Sequence, residues 1–167
     1  ETFTPSPQTI TFKVRVGRNA TDTANIYYIN DEPAPRLVLY EGNTYYFDLS
    51  GDFPGTVGDS LTPHPFRLSS TQDGTHGGGQ EYIEGVTIEG NNGEEGSYLK
   101  IVVSDNAPNQ LYYYCELHSG LGGDSIITVE APGTSTTTTG SSPNSSSSDS
   151  TSVPSGSSSG SSSGTGI

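Results

Sequence analysis

The sequence contains one cysteine, no methionine, no tryptophan and no long apolar run. With Cys115 alone, the chain cannot form an internal disulfide, so its stability has to come from a packed core. Its apolar runs fall short of the roughly 18 residues that span a bilayer as a helix, which predicts no membrane span. A lone thiol in an oxidising compartment is a liability unless it is buried, paired with another chain or bound to a ligand.

Basic residues are also scarce, since 6 Lys and Arg stand against 19 Asp and Glu, for a formal net charge of −13. One acid, Asp149, lies near the C-terminus, so nearly all of this charge belongs to the first 130 residues. Such a surface repels the phosphates of nucleic acids and the headgroups of anionic lipids. The sequence therefore predicts no nucleic-acid binding and a protein partner with a basic or neutral surface.

The composition changes after Glu130. Residues 131–167 contain 23 Ser or Thr among 37 residues and only two large apolar side chains. Such a segment buries too little apolar surface to offset the entropy lost on ordering. The sequence therefore predicts one folded domain over residues 1–130 and a disordered low-complexity linker or stalk over residues 131–167.

Three features favour a secreted protein or one displayed at the cell surface. The missing initiator methionine is expected of a chain that begins after a removed signal peptide, although a trimmed chain would look the same. Asn19-Ala20-Thr21 and Asn144-Ser145-Ser146 are N-glycosylation sequons. The Ser/Thr-rich stretch resembles an O-glycosylated stalk. We therefore expect an extracellular glycoprotein.

Helical periodicity is absent, and β-branched or aromatic residues alternate with polar ones in short runs separated by glycine-rich or aspartate-rich turns. This pattern predicts an all-β fold, namely a Greek-key β-sandwich. Residues 69–80 are too rich in glycine for a strand and predict a compact loop against the sheet. The predicted strands are residues 9–16, 25–29, 36–40, 44–49, 65–69, 82–88, 97–103, 111–114 and 125–130.

Three side chains form a candidate metal site. Cys115 ends an aromatic run, His118 follows it by three residues in a glycine-rich loop, and His64 lies about fifty residues upstream at the start of a predicted strand. One ligand from a strand start and two from a loop after a later strand can meet at one end of a sandwich. A thiolate with two imidazoles suits copper in trigonal electron-transfer sites.

These residues also resemble a known signature. His64-Pro65-Phe66 with residues 112–123 (Tyr-Tyr-Tyr-Cys-Glu-Leu-His-Ser-Gly-Leu-Gly-Gly) resembles the type 1 copper signature of the cupredoxins, with the short ligand loop of amicyanin-like members. Residues 36–47 resemble the family's segment before the first histidine ligand. The resemblance covers roughly residues 9–130 and implies a cupredoxin-like domain.

What the resemblance implies for the site is specific. One copper ion per chain would be held by His64, Cys115 and His118. Leu121 stands where short-loop members place an axial methionine, and leucine cannot coordinate. The resemblance therefore implies a site without a strong axial ligand, and loss of that donor raises the reduction potential.

We accordingly predict an extracellular blue copper protein that carries single electrons to or from a redox partner and is not an enzyme. A cell-surface structural or assembly module on the same scaffold, with copper structural or absent and with self-assembly, remains an alternative. Zinc in the same three ligands and Cys–His nucleophilic catalysis are further alternatives, and the sequence carries no signature of an oxyanion hole.

Residues around the site carry expectations of their own. His76 is expected to face solvent or to pack within its glycine-rich loop. Glu116 is expected to be exposed between the two loop ligands, where its charge could guide a partner. Strand alternation places Tyr113 on the opposite face from Tyr112 and Tyr114, and we interpret this tyrosine run as packing rather than as an electron relay.

Overall fold

A computed structural model describes residues 5–53, 64–124 and 126–132 of the chain. Within these ranges the chain forms strands and one short 3₁₀ turn, and no α-helix, which confirms the predicted all-β class. The part of the chain that the structure describes contains no helix with the length and hydropathy of a membrane span. The strands are β1 (Thr9–Arg18), β2 (Asn25–Ile29), β3 (Glu32–Pro33), β4 (Leu37–Tyr40), β5 (Thr44–Asp48), β6 (Phe66–Ser69), β7 (Val86–Glu89), β8 (Tyr98–Val102), β9 (Gln110–Cys115) and β10 (Ile126–Glu130).

The strands form two sheets. The larger sheet has the order β3-β2-β1-β5-β8-β7, and the smaller one has the order β4-β10-β9-β6. The β1–β5 and β4–β10 pairs are parallel, and the other pairs are antiparallel. The chain crosses repeatedly between the sheets instead of completing one before the other, so neighbouring strands within a sheet are often distant in sequence.

Aromatic side chains pack the two sheets against each other. Phe66 of the smaller sheet lies 5.0 Å from Phe47 and 5.1 Å from Tyr27 of the larger sheet, measured between ring centroids. Tyr113 of β9 reaches the same cluster, 6.3 Å from Tyr27. These contacts, together with alternation of buried and exposed residues along the strands, establish a β-sandwich with its core between the sheets.

Most predicted strand limits agree with the structure to within one or two residues, and the larger differences are at β3 and β7. β3 is only two residues long and gives no periodic signal, so the sequence did not reveal it. β7 begins at Val86, four residues after the predicted start. Gly85 has φ +70 and the Val86 amide bonds back to Ile83, so a turn occupies the predicted first half of this strand.

The glycine-rich loop lies against the sheet, as predicted. Its 3₁₀ turn, Gly74–Gly77, covers the outer face of Tyr114, which is therefore buried on the side away from the core. Tyr113 points into the core, and its hydroxyl donates a 2.7 Å hydrogen bond to the Pro35 carbonyl. The predicted alternation within the tyrosine run is thus confirmed.

The linker predicted for residues 131–167 lies outside the described residues beyond Pro132, as does the second sequon at Asn144. The domain boundary at Glu130 and the glycosylation of the chain accordingly stay predictions.

Candidate metal centre

The pairing of β6 with β9 brings the candidate ligands to one place. The two strands are antiparallel, and Phe66 lies directly opposite Cys115. The Glu116 amide donates to the Pro65 carbonyl at 3.0 Å, which extends the pairing one step past the end of β9. His64 comes just before β6, so it meets the segment that follows β9 although the two are far apart in sequence.

The three donor atoms form a compact triangle. The Nδ1 atoms of His64 and His118 are 3.1 Å apart, and the Cys115 sulfur lies 3.8 Å from the first and 3.7 Å from the second. A single point lies roughly 2 Å from all three atoms, close to metal–nitrogen and metal–sulfur bond lengths of about 2.0–2.3 Å. The three side chains that the sequence singled out are therefore close enough together to hold one metal ion.

Two of the three side chains are shielded from solvent. His64 and Cys115 are fully buried, whereas His118 is partly exposed. Burial raises the pKa of the Cys115 thiol, and the backbone N–H groups of Leu117 and His118 with the Tyr27 hydroxyl act in the opposite direction. Because a thiolate is the metal ligand, binding of an ion here releases the Cys115 proton.

The backbone of His64 is held from the opposite sheet. Its carbonyl accepts a 2.9 Å hydrogen bond from the Tyr27 hydroxyl and a second one from the Asn92 side-chain amide. The Tyr27 amide in turn donates to the Leu121 carbonyl at 2.9 Å, which ties β2 to the loop of the other two ligands. The sequence did not point to Tyr27 or Asn92, because both form hydrogen bonds to the His64 carbonyl from distant parts of the chain and neither belongs to a motif.

Leu121 is buried, at 4% exposure, in the same core cluster as Cys115 and Phe66. Its side chain has only carbon atoms, so it cannot supply a fourth ligand. Its position relative to the plane of the three donor atoms stays a prediction.

Two other residues predicted around the site have defined partners. His76 is exposed and lies outside the donor group, but its Nε2 donates a 3.0 Å hydrogen bond to the Cys115 carbonyl. Glu116 is exposed, as predicted, and its carboxylate pairs with Arg67 at 3.1 Å. Arg67 also pairs with Glu81 at 3.4 Å, so the charge of Glu116 is partly neutralised within the fold.

Comparison of the chain with protein-family models and with curated proteins finds no match. The chemistry of the site therefore has to be derived from its own donor atoms. One buried thiol and two imidazoles, with their donor atoms at these distances, can hold a metal ion.

Proposed function

We propose that this chain is a mononuclear copper protein that carries single electrons, with His64, Cys115 and His118 as the copper ligands. The observation that supports it is the compact triangle formed by one sulfur and two imidazole nitrogens, with His64 and Cys115 buried and His118 partly exposed. Copper held by two histidines and one cysteine in trigonal geometry is typical of electron-transfer sites, and the bound ion supplies the one-electron redox chemistry.

The side chains of the site have different roles in this proposal. Cys115 and His64 hold their donor atoms where water does not reach, which keeps competing ligands away. His118 is the partly exposed ligand, so a redox partner can approach the site most closely there. Leu121 has no donor atom, so copper held by the other three side chains would lack a strong fourth ligand, which would favour Cu(I) over Cu(II) and raise the reduction potential.

The donor set itself favours copper over zinc. A structural zinc site takes four protein ligands, whereas the group found in the described residues has three. A catalytic zinc site keeps an open position for water, and two of these three ligands have no exposure. The extracellular location and a basic or neutral partner belong to the same proposal, supported by the net charge of −13 and by the Ser/Thr-rich stretch.

The test is the visible and electron-spin-resonance spectrum of the full chain after loading with Cu(II). We expect an intense thiolate-to-copper absorption that ascorbate bleaches and mild oxidation restores. Cys115→Ser abolishes this absorption, because the thiolate is its source. His118→Gln and His76→Gln form a matched pair, in which only the first removes a donor atom.

A colourless Cu(II) complex, or equal spectra for the two histidine variants, would contradict the proposal. A native chain that takes up no copper and unfolds and assembles like Cys115→Ser would instead favour the structural module. Stoichiometric zinc uptake in preference to copper would favour a zinc site with the same three ligands.

A further inference from the structure

One short turn contacts the loop of the metal ligands at several points. We name residues 72–76 the clasp, and residues 115–124, which carry Cys115 and His118, the ligand loop. The clasp follows β6, whereas the ligand loop begins at the last residue of β9, so these contacts join distant parts of the chain. The hydrogen bonds between them are Gln72 Nε2 to Asp124 Oδ1 at 3.3 Å, Ser119 hydroxyl to Asp73 Oδ2, Gly120 amide to Asp73 Oδ1 at 2.9 Å, and His76 Nε2 to the Cys115 carbonyl at 3.0 Å.

Asp73 makes the central contact. Its carboxylate accepts hydrogen bonds from the Ser119 hydroxyl and the Gly120 amide, the two residues that directly follow His118. Hydrogen bonds to a charged acceptor are stronger than those between neutral groups. The chain leaving His118 is therefore held by both oxygens of one carboxylate.

His76 holds the chain on the other side of His118. Its ring donates to the carbonyl of Cys115, three residues before His118, and also lies edge-on to Tyr114 with centroids 6.4 Å apart. The clasp thus fixes the backbone both before and after the exposed ligand.

Glycine at position 74 allows this close approach. Gly74 has φ +54, and a Cβ atom there would lie 2.5 Å from three atoms of the Tyr114 ring. The clasp therefore lies flat on the residue that precedes Cys115, and no side chain fits between them. Gly78, four residues later, has φ +83, and a Cβ atom there would have no neighbour within 4 Å. The two glycines therefore share a left-handed backbone, but only Gly74 is pressed against another residue.

We propose that the clasp positions His118, through Asp73 and His76, and thereby slows release of the metal ion. This inference rests on the proposed function only in that it takes Cys115 and His118 as metal ligands. The ligand loop contains three glycines, at positions 120, 122 and 123, whose backbones are intrinsically permissive. Without external hydrogen bonds, the loop would let His118 move away from the sulfur, and dissociation would be faster.

The test compares Asp73→Gly and Asp73→Asn with Asp48→Asn, which is the matched control for Asp73→Asn. Asp48 accepts hydrogen bonds from the Ser50 amide at 2.9 Å and the Ser50 hydroxyl at 2.6 Å, which is the same pair of donor types, but at the end of β5. Asp73 has φ +57, so Asp73→Gly removes the carboxylate without backbone strain, and Asp73→Asn keeps one acceptor in a residue that tolerates this conformation.

The readouts are the rate at which a chelator removes copper, and separately zinc, from the full chain, and the hydrogen exchange of the Gly120 amide in the metal-free chain. We expect Asp73→Gly to release metal about 10-fold faster, at the lower end of what losing a supporting hydrogen bond costs in metal affinity, because Asp73 binds the residues after His118 and not its ring. Asp73→Asn should fall between Asp73→Gly and the native chain, and Asp48→Asn should release metal like the native chain. Gly120 exchange should rise in Asp73→Gly and stay unchanged in Asp48→Asn.

A second pair tests the flat contact on Tyr114. Gly74→Ala and Gly78→Ala both place a Cβ on a left-handed backbone, so they share the conformational penalty. Only Gly74→Ala forces the clasp away from β9, and we expect faster metal release in this variant alone.

Two outcomes would overturn the inference. One is an unchanged release rate in Asp73→Gly, and the other is an equal acceleration in the Asp48 or Gly78 variant, which would indicate a general loss of stability. The proposed function fails instead on the copper spectrum of the native chain. Faster zinc release and faster Gly120 exchange in Asp73→Gly would support the clasp even then, so the two failures are distinguishable.

Discussion

The two histidines of the candidate metal centre are held in different ways. His64 is fully buried beside β6, and its carbonyl is bound by Tyr27 and Asn92 from the opposite side of the sandwich. His118 is partly exposed on a glycine-rich loop, and its neighbours are bound by the clasp. The position of His64 is therefore tied to the core, whereas the loop that carries His118 is attached by a few hydrogen bonds near the surface. Substitutions near His64 should accordingly lower the free energy of unfolding, and substitutions near His118 should mainly change the rate of metal release.

The largest effect should come from the core next to His64. Phe66 has no exposed surface and packs against the rings of Phe47 and Tyr113 at 5.0 and 5.5 Å. Phe66→Ala should lower the free energy of unfolding of the metal-free chain by about 3–5 kcal/mol, through lost transfer energy and the cavity left behind. Urea unfolding measures this.

Leu117→Ala, in the ligand loop next to His118, is the control for Phe66→Ala. Leu117 precedes His118 and is 47% exposed, so its truncation should change the free energy of unfolding by only about 0.5 kcal/mol or less. A cost similar to that of Phe66→Ala would mean that the ligand loop belongs to the core after all.

A smaller effect should come from the hydroxyl that holds the His64 backbone. Tyr27→Phe removes a buried 2.9 Å hydrogen bond and should lower the free energy of unfolding by about 1 kcal/mol. The neighbouring residue offers a matched control, because the Tyr28 hydroxyl also donates to a backbone carbonyl, that of Arg18 at 2.6 Å, but in an exposed position. Water replaces that bond, so Tyr28→Phe should cost less. An equal loss of free energy of unfolding in both variants would mean that the Tyr27 hydrogen bond to the His64 carbonyl contributes no more than an exposed one.

A weaker effect on the free energy of unfolding is expected from the ion pair that joins β6 to the ligand loop. Arg67 of β6 pairs with Glu116 of the ligand loop, and both side chains are partly exposed. Glu116→Gln should lower the free energy of unfolding by about 0.2–1 kcal/mol, and the loss should shrink at high salt. Glu81→Gln removes the other partner of Arg67 without touching the loop. If only Glu116→Gln also speeds metal release, the pair contributes to holding His118, and if neither does, the clasp acts without it.

The smallest effect on the free energy of unfolding should come from Tyr82, which belongs neither to the hydrogen bonds that hold His64 nor to the clasp. Its hydroxyl is buried without a hydrogen-bond partner among the described residues, and burial, with a contribution from Glu84, raises its pKa above 10.0. The folded chain thus holds this proton more tightly than the unfolded chain. The resulting stability is present below pH 10 and is lost as the pH rises through the higher folded-state pKa.

Tyr82→Phe should therefore flatten the alkaline fall in the free energy of unfolding while leaving a constant offset between pH 6 and 8. Unfolding curves recorded from pH 6 into the alkaline range above pH 10 measure both the offset and the slope. An unchanged alkaline slope would mean that Tyr82 titrates alike in both states.

The sequence was sufficient for most of the strands and for the three residues that supply the donor atoms, because both leave local signals. Alternation in β1 places Val14 and Val16 in the core, and Cys115 and His118 are separated by a spacing that itself indicates a ligand loop. His64 could be added because a strand start is a place where ligands converge.

The supports of the site could not be predicted in the same way. Asp73 and His76 bind backbone atoms of the ligand loop about forty residues away, and any acceptor or donor of the right reach would serve. Burial of Tyr114 on the outer face depends on a glycine that the sequence marks only as flexible. Such contacts are set by how two loops meet, which is a tertiary property.

The strand order also fixes when the donor atoms can meet during biosynthesis. β6, which follows His64, is hydrogen-bonded to β9, and β9 is in turn held by β10, the last strand described. A nascent chain therefore exposes His64 well before its partner strand exists, and the Cys115 thiol stays open to oxidants until the sheet closes over it. Binding of a metal ion at this site would thus have to follow closure of the smaller sheet, and delayed closure would show itself as an oxidised thiol.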